Sequence, residues 1–294
     1  MAAPTFDLQS HSTASDGVLT PTEVVARAHR AGVDLLALSD HDTVDGLNEA
    51  FSAAAATGGE LTLVSAVEIS SLDRDNKDLH ILGYNIDHNN PTLLARLALW
   101  REDRWTRGER TAQTMRELGW EVELPPRDDS PLGRPHIAAA IFDHPTNAGR
   151  AAREGLMNST ELLVAYLIPG APGYCGRSAP TVAEAIETIH EAGGQAILAH
   201  PYWDFHGAGK HAGVRDALEN FAQLGGDGVE AFYISHSEDE SRRLVALAAD
   251  LDMLTTGSAD FHGPENPRFS NFRNFSLYGH DSNLGPIDRR LPSR

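Results

Sequence analysis

The sequence predicts an α/β protein in which seven strands form a closed or nearly closed barrel. Apolar runs rich in β-branched residues are typical of strands, at 5–9, 33–39, 61–68, 79–84, 195–200, 228–234 and 253–258. Helical patterns lie between most of these runs, and this alternation indicates a parallel sheet with crossover helices. Ligand-type polar residues accompany all seven runs, which favours a barrel with one shared mouth over an open sheet.

Capping boxes mark the start of three helices, because Ser or Thr at the N-cap is followed three residues later by Glu. Thr20 and Glu23 form the first, with Pro21 at the first helical position, and Gly32 stands where this helix should end. Equivalent patterns begin at Thr181 and at Ser237. These signals place helices after the first, fourth and sixth predicted strands.

The alternation of strand and helix breaks between about 100 and 180, where a charged helix at 100–118 precedes Pro-rich and Gly-rich stretches. We therefore predict a helical insertion at 101–179, carried on a barrel loop and covering the mouth as a substrate lid. Residues 1–100 and 180–294 are predicted to form the barrel. Three tryptophans are expected to pack within the insertion: Trp100, Trp105 and Trp120.

Composition excludes several classes of function. The net charge of −18 argues against binding duplex nucleic acid, which needs a basic face, but divalent cations in an acidic pocket would still admit a small anionic substrate. No apolar run is long enough for a membrane helix, and the first strand begins too close to Met1 for a signal peptide, so we expect a cytoplasmic protein. With Cys175 as the single cysteine, any metal must be bound by nitrogen and oxygen.

Histidines and carboxylates recur in one context, beside a turn at the end of a short apolar run. They include His11, Asp40, His41, Asp42, Glu68, His80, His200, His236, Asp260 and His262. One such histidine is weak evidence, but the repeated position predicts a polynuclear metal site at the barrel mouth. Glu68 follows an apolar strand, where an unpaired charge would be costly, and a bridging position between two cations would remove that cost.

Several segments, in chain order, resemble the motifs of the PHP (polymerase and histidinol phosphatase) metal-dependent phosphoesterases. They are 7–12, 15–17, 39–43, 67–70, 80–84, 199–201 and 257–263. The motif Gly133-Arg134-Pro135-His136 further resembles the branch that contains nucleoside 3′,5′-bisphosphate phosphatases and a related 5′-exonuclease of short RNA. The resemblance spans most of the chain and is more specific for the superfamily than for the substrate.

This resemblance implies a distorted (β/α)7 barrel that binds two or three divalent ions, for which Mn²⁺, Fe²⁺ and Zn²⁺ all suit mixed imidazole and carboxylate ligands. The implied ligands are Gln9, His11, Glu68 and Asp260 for the first ion, Glu68, His80 and His200 for the second, and Asp16, His41 and His262 for the third. It also implies attack on phosphorus by a hydroxide that bridges two of the ions.

Gln9 departs from the family pattern, since members normally carry histidine at this position. A glutamine amide oxygen is a neutral and weaker ligand for a transition metal. Either Gln9 ligates, in which case the first site is weakened or prefers an oxygen-seeking ion, or it hydrogen-bonds a neighbour while water takes the place of the ligand. Because His11, Glu68 and Asp260 are retained, we expect the first ion to bind when metal is abundant.

Three further residues are candidates for contact with substrate. Arg134 and His136 lie in the insertion, where a guanidinium suits a second phosphate, although Arg134 could instead pair with a surface carboxylate. His236 follows the sixth predicted strand and could contact phosphate or protonate the leaving oxygen, or have a purely structural role. Packing is the expected role of the tryptophans in the insertion, although one of them could flank a nucleobase.

The predicted function is hydrolysis of a phosphomonoester of a small nucleotide, with conversion of adenosine 3′,5′-bisphosphate to AMP and phosphate as the best candidate. The alternatives in the same fold are 5′-3′ exonucleolytic cleavage of short RNA and hydrolysis of histidinol phosphate. A degenerate member that only binds nucleotide is a further alternative suggested by Gln9. The expected partner is a small phosphorylated molecule, and the sequence predicts no oligomeric state.

Overall fold

Within the described residues of a computed structural model of the chain, seven strands form one sheet. The structure describes residues 4–74, 77–127, 132–176, 180–205 and 207–290. The strands are β1 (Phe6–Asp7), β2 (Leu35–Leu38), β3 (Thr62–Leu72), β4 (Asp78–Tyr84), β5 (Gln195–Leu198), β6 (Gly228–Tyr233) and β7 (Leu254–Ser258). All seven lie where the apolar runs predicted them, and β3 extends four residues beyond its predicted end.

The helices are α1 (Pro21–Arg30), α2 (Leu47–Ala55), α3 (Pro91–Glu117), α4 (Arg134–Phe142), α5 (Ala148–Glu154), α6 (Ser159–Tyr166), α7 (Val182–Glu191), α8 (Pro201–Asp204), α9 (Lys210–Gln223) and α10 (Glu238–Asp250). The three capping boxes are confirmed, at Thr20 for α1, Thr181 for α7 and Ser237 for α10. Gly32, just beyond α1, has a φ of +76°, a backbone conformation that side chains with a Cβ rarely adopt.

The sheet follows chain order from β1 to β7. Neighbouring strands are parallel except at β4, which runs antiparallel to both β3 and β5. The prediction of an entirely parallel sheet was therefore wrong at this strand. The reason is the length of the connection, since only residues 73–77 separate β3 from β4, whereas a parallel crossover needs a dozen residues or more.

The reversed direction of β4 also corrects the expected position of His80. This residue lies near the start of its strand and not at the end of an apolar run. Because β4 is antiparallel, its start lies at the same end of the barrel as the last residues of the parallel strands, and Ser70 of β3 pairs with His80. His80 is thus brought to the same mouth by a different route.

The barrel is nearly closed by backbone hydrogen bonds between its first and last strands. The Leu8 amide donates to the Gly257 carbonyl at 3.2 Å, and the His11 amide donates to the Phe261 carbonyl at 2.8 Å. These bonds bring the segment after β1 beside the segment after β7. Residues far apart in the chain, Gln9 to His11 and Ser258 to His262, therefore meet at the mouth.

The barrel interior is filled by alternate residues of successive strands, as expected for inward-facing positions. The buried cluster comprises Phe6, Leu8, Leu35, Ala37, Val64, Ala66, Leu82, Tyr84, Ile197 and Ala199, closed by Leu284 and Ile287 of the tail. Glu68 and His80 each lie two residues from a member of this cluster, Ala66 and Leu82 respectively. Their side chains consequently project into the same interior at the mouth.

Residues 98–179 form a second compact unit, and residues 1–97 with 180–294 form the unit that contains the barrel. The second unit contains most of α3, together with α4, α5 and α6, around its own buried apolar cluster. The predicted burial of Trp100, Trp105 and Trp120 is confirmed, with exposed fractions of 4%, 5% and 1%. Among the helices that the structure describes, none has the combination of length and apolar composition that crossing a membrane requires.

Candidate metal centre

Glu68 lies at the centre of a cluster of imidazoles and carboxylates at the barrel mouth. Its Oε1 atom is 2.6 Å from His80 Nδ1 and 3.2 Å from His200 Nε2. Its Oε2 atom is 3.1 Å from His11 Nε2 and 3.6 Å from His41 Nδ1. Two pairs of imidazoles thus face the two oxygens of one fully buried carboxylate, an arrangement suited to a bridging ligand.

Asp260 extends the cluster on the side of His11. The Oδ1 atom of Asp260 is 3.1 Å from His11 Nε2, so that this nitrogen faces the carboxylates of both Asp260 and Glu68. The Tyr233 hydroxyl donates a 2.7 Å hydrogen bond to the other oxygen, Oδ2, of Asp260. His11, Glu68 and Asp260 form one of three groups, among the described residues, whose ligand atoms all lie within 4.8 Å of one another.

Asp16 is the carboxylate that three imidazoles face on the other side of the mouth. Its carboxylate oxygens lie 3.5 Å from His11 Nδ1, 3.7 Å from His41 Nε2 and 3.6 Å from His262 Nε2. These residues form a second group, and His41, Glu68 and His80 form the third. The rings of His11 and His262 stack with centroids 4.2 Å apart. Asp16 and His80 are part-exposed, with side-chain accessibilities of 29% and 27%, so the cluster is open to solvent at these two residues.

The buried polar atoms of the cluster fit divalent cations better than they fit one another. Among the described residues, both ring nitrogens of His11, Nδ1 of His41 and Oδ1 of Asp260 are buried and have no hydrogen-bond partner. Such atoms are costly to remove from water unless something compensates them, and they all point toward neighbouring ligand atoms. Nitrogen and oxygen ligand atoms that converge in this way, with these four lacking a hydrogen bond, are what a Mn²⁺, Fe²⁺ or Zn²⁺ site requires.

The electrostatics of the cluster favour ionised carboxylates. Burial alone would raise the pKa of Glu68, but electrostatic interaction with the His41 and His80 imidazoles and the contacts with His11 and His200 hold it well below its ordinary value. Burial likewise would raise the pKa of Asp16, whereas its neighbouring imidazoles lower it well below the usual range. Burial lowers the pKa of His41 to about 4, which leaves this ring neutral and able to ligate.

A model of the PHP domain matches residues 7–114 of the chain. A 5′-3′ exoribonuclease of Haemophilus influenzae is 35% identical over 262 residues, which cover 88% of this chain and 90% of that protein. The chain belongs to the PHP family. It is therefore a phosphoester hydrolase of a family whose enzymes depend on metal, and the motifs identified in the sequence are those of its own family.

Two further PHP relatives match nearly the whole chain. A 3′,5′-nucleoside bisphosphate phosphatase of Chromobacterium violaceum is 32% identical over 296 residues, covering 97% of this chain and 94% of that protein. A solved structure of an amidohydrolase from Chromobacterium violaceum, with bound sulfate and no metal, superposes with a TM-score of 0.77 at 30% identity. It covers 97% of this chain and 93% of that chain. The distorted seven-stranded barrel predicted from the sequence is thus confirmed as the PHP fold.

Gln9 lies beside the carboxylate of Glu68, and both ends of its amide group are hydrogen-bonded by neighbours. Nε2 of Gln9 donates to Glu68 Oε2 at 2.9 Å, and Oε1 accepts a 3.3 Å hydrogen bond from the Ser258 hydroxyl. Gln9 therefore presents an N–H group to the cluster, and its oxygen, the atom that could ligate, faces Ser258. Of the two interpretations drawn from the sequence, this geometry supports the one in which Gln9 hydrogen-bonds a neighbour.

Asp40 organises the loop that carries Asp16, a role that sequence reasoning did not assign. Its carboxylate accepts hydrogen bonds from the Ser12 amide, the Ser12 hydroxyl and the Ser15 hydroxyl, each at 2.7 Å. Ser12 and Ser15 flank the turn that leads to Asp16. Asp40 thereby fixes the position of a ligand-type residue that does not belong to any strand.

Glu230 is a second residue that the sequence analysis missed. It is fully buried in β6, where its carboxyl group lies 2.5 Å from Ser258 Oγ and accepts a 2.9 Å hydrogen bond from the His200 amide. Burial raises the pKa of Glu230 to about 8, so this residue is largely protonated at neutral pH. A charged residue inside the apolar run of β6 was the available signal, because such a residue seldom lies in a core without a specific partner.

The three candidate substrate residues, His236, Arg134 and His136, do not belong to the three ligand groups. His236 is buried, with its ring packed against those of Tyr233 and Tyr202 and its Nδ1 atom 3.3 Å from the Ala231 carbonyl. Burial lowers the pKa of His236 to about 4, which favours a neutral hydrogen-bonding ring over a proton donor at neutral pH. Arg134 begins α4 in the second unit, and the Gly133 amide donates to His136 Nδ1 at 3.0 Å, which caps the same helix.

Proposed function

We propose that the chain hydrolyses a phosphomonoester of a small nucleotide, and that the preferred substrate is adenosine 3′,5′-bisphosphate, which yields AMP and phosphate. The observation that carries this proposal is the overlap of the three ligand groups at one mouth. Each of Glu68, His11 and His41 belongs to two of these groups. The choice of substrate is supported by a relative named for that activity, whose alignment covers 97% of the chain.

The proposed cofactors are two or three divalent ions. His11, Glu68 and Asp260 would hold the first, Glu68 with His80 and His200 the second, and Asp16 with His41 and His262 the third. Bound ions would supply positive charge that lowers the pKa of a water molecule and stabilises the phosphate oxygens during in-line attack. The donor set is compatible with Mn²⁺, Fe²⁺ or Zn²⁺, since all three accept imidazole and carboxylate ligands.

The residues of the chain itself have distinct proposed roles. Glu68 would be a ligand of both the first and the second ion, because it belongs to two of the three ligand groups. Tyr233 orients Asp260 through the hydrogen bond to Oδ2. His236 contacts phosphate as a neutral donor, and Arg134 with His136 binds a second phosphate from the insertion, which we propose acts as a lid.

The second candidate is 5′-3′ exonucleolytic cleavage of short RNA in the cytoplasm. The specific observation in its favour is the identity of 35% with the exoribonuclease of Haemophilus influenzae, which exceeds the 32% with the bisphosphate phosphatase. The net charge of −18 opposes long polymers but not an oligonucleotide of a few residues, because such a substrate needs few contacts to phosphate.

A panel of substrates separates the two candidates. Release of phosphate or nucleotide is measured in Mn²⁺ with adenosine 3′,5′-bisphosphate, a short 5′-phosphorylated RNA, histidinol phosphate and a generic aryl phosphate. The highest kcat/KM is expected for the bisphosphate, with the Glu68→Gln variant as the control for contaminating phosphatase. Preference for the RNA would replace the first candidate by the second, and no turnover of either nucleotide would refute both.

A further inference from the structure

An aromatic cluster forms one wall beside the metal centre. It consists of Trp203 in α8, Tyr233 at the end of β6 and Phe269 in the tail. The centroid of the Trp203 ring lies 6.4 Å from that of Tyr233 and 5.8 Å from that of Phe269, and the Tyr233 and Phe269 rings are 6.4 Å apart. All three residues belong to the unit that contains the barrel.

This aromatic cluster is continuous with three of the proposed ligands. The Phe269 ring packs against the His262 ring at 5.4 Å, and the Tyr233 hydroxyl binds Asp260. The Trp203 amide donates to the His200 carbonyl at 2.8 Å, which places the indole one turn beyond that histidine. A substrate whose phosphate lies at the centre therefore has an aromatic surface within reach of the remainder of the molecule.

Trp203 differs from the other tryptophans in its exposure. Its exposed fraction is 39%, whereas Trp100, Trp105 and Trp120 are buried. Because Trp203 packs against Tyr233 and Phe269, its exposed surface is part of an aromatic group and not that of one isolated side chain. The burial of the other three tryptophans leaves them without a comparable exposed ring.

Arg268 adds a positive charge to this surface. Its guanidinium carbon lies 5.0 Å from the centroid of the Trp203 ring, in the geometry of a cation–π contact. Within the described part of the chain, no carboxylate forms an ion pair with Arg268, although the protein carries a net charge of −18. An arginine without a carboxylate partner beside an aromatic ring is suited to a ligand that combines a planar ring with negative charge.

We propose that Trp203 and Arg268 form a subsite for the nucleobase of the substrate, in which the base stacks on the indole and the guanidinium lies beside the same nucleotide. This inference rests on the proposed function, because it requires a nucleotide substrate. Stacking depends on the π-face that every base presents, so the subsite accepts different bases and favours nucleotides over phosphoesters without a ring. It suits a mononucleotide and the terminal nucleotide of a short RNA equally.

The first test compares substrates with and without a base. The Trp203→Ala variant is assayed with adenosine 3′,5′-bisphosphate and with its abasic analogue, in which hydrogen replaces adenine. The expected result is a rise in KM of roughly five- to 100-fold for the nucleotide, with little change in kcat and little change for the abasic analogue. Trp203→Phe, which retains an aromatic face, is expected to recover most of the loss.

Two controls keep this result interpretable. Leu224→Ala removes a side chain of similar exposure, 41%, from the end of α9, and is expected to leave both substrates unaffected. Trp203→Leu retains apolar volume without a stacking face, so it replaces the alanine variant if that variant does not fold. Equal effects of Trp203→Leu on the nucleotide and on its abasic analogue would overturn the proposal.

Binding of AMP provides a readout that does not depend on turnover. AMP is expected to quench part of the tryptophan emission of the Mn²⁺-loaded wild type, and to quench less in Trp203→Phe while its affinity is nearly retained. Quenching that persists in this variant would contradict stacking on Trp203. The two levels of failure are distinguishable, because a wild type inactive on every nucleotide refutes the proposed function, whereas an active wild type with unselective Trp203 variants refutes only the subsite.

Discussion

Replacement of Glu68 by glutamine tests the role of the residue on which the centre converges. The substitution removes the charge of a fully buried carboxylate and changes its shape very little. Two of the three ligand groups contain Glu68, so two ions would each lose one negative ligand. One pair of unit charges at 4 Å contributes about 4 kcal/mol at an effective dielectric constant of about 20, and a divalent ion doubles this value, so the loss in affinity for each ion is at least about 1000-fold.

The assay combines metal content with kinetics. Purified wild type and Glu68→Gln are dialysed against a fixed low concentration of Mn²⁺, their bound metal is measured by elemental analysis, and kcat/KM is measured with adenosine 3′,5′-bisphosphate. The variant is expected to lose at least one ion and about three orders of magnitude in kcat/KM. Glu60→Gln is a matched control, because Glu60 also pairs with a histidine, His29 at 2.7 Å, but on the exposed surface. Metal content and rates like those of the wild type in Glu68→Gln would refute the bridging role.

Three further variants probe the surroundings of the centre. Gln9→His should raise metal occupancy, because an imidazole nitrogen that can bind metal would replace the amide N–H that now donates to Glu68. Unchanged stoichiometry and kinetics would show that position 9 does not contribute a ligand. Tyr233→Phe should weaken Mn²⁺ binding roughly 10- to 100-fold, because Asp260 loses the hydrogen bond that orients it, and calorimetric titration with an unaltered affinity would contradict this. Glu230 holds a proton in the folded state up to a pKa of about 8 against an ordinary value of 4.5, so its contribution to the free energy of unfolding falls as the pH rises between these values. Glu230→Gln should remove a pH dependence on the order of a few kcal/mol from chemical unfolding of the metal-free protein, and an identical pH profile would argue against the buried acid.

Much of the fold could be predicted because local signals agreed with the global arrangement. Thr20, Thr181 and Ser237 determine where three helices begin, since each satisfies backbone N–H groups that the helix leaves without partners. The direction of β4 could not be read from hydrophobicity, because parallel and antiparallel strands in a buried sheet present similar apolar runs. The decisive signal was the short connection at 73–77, which permits only a hairpin.

The candidate site was predictable to a similar extent. Histidines and carboxylates at strand ends were recognisable because ligand chemistry restricts residue type, and the structure brings His11, Glu68 and Asp260 together. The partner of Gln9 was not predictable, since a glutamine amide can donate or accept and only the positions of Ser258 and Glu68 decide which.

The most direct test of the central claim is a crystal soaked in Mn²⁺ and measured at a wavelength where manganese scatters anomalously. The account predicts two or three anomalous peaks at the barrel mouth, of which two contact the carboxylate of Glu68 from opposite sides. An empty mouth, or peaks dispersed among surface carboxylates with none at Glu68, would contradict it.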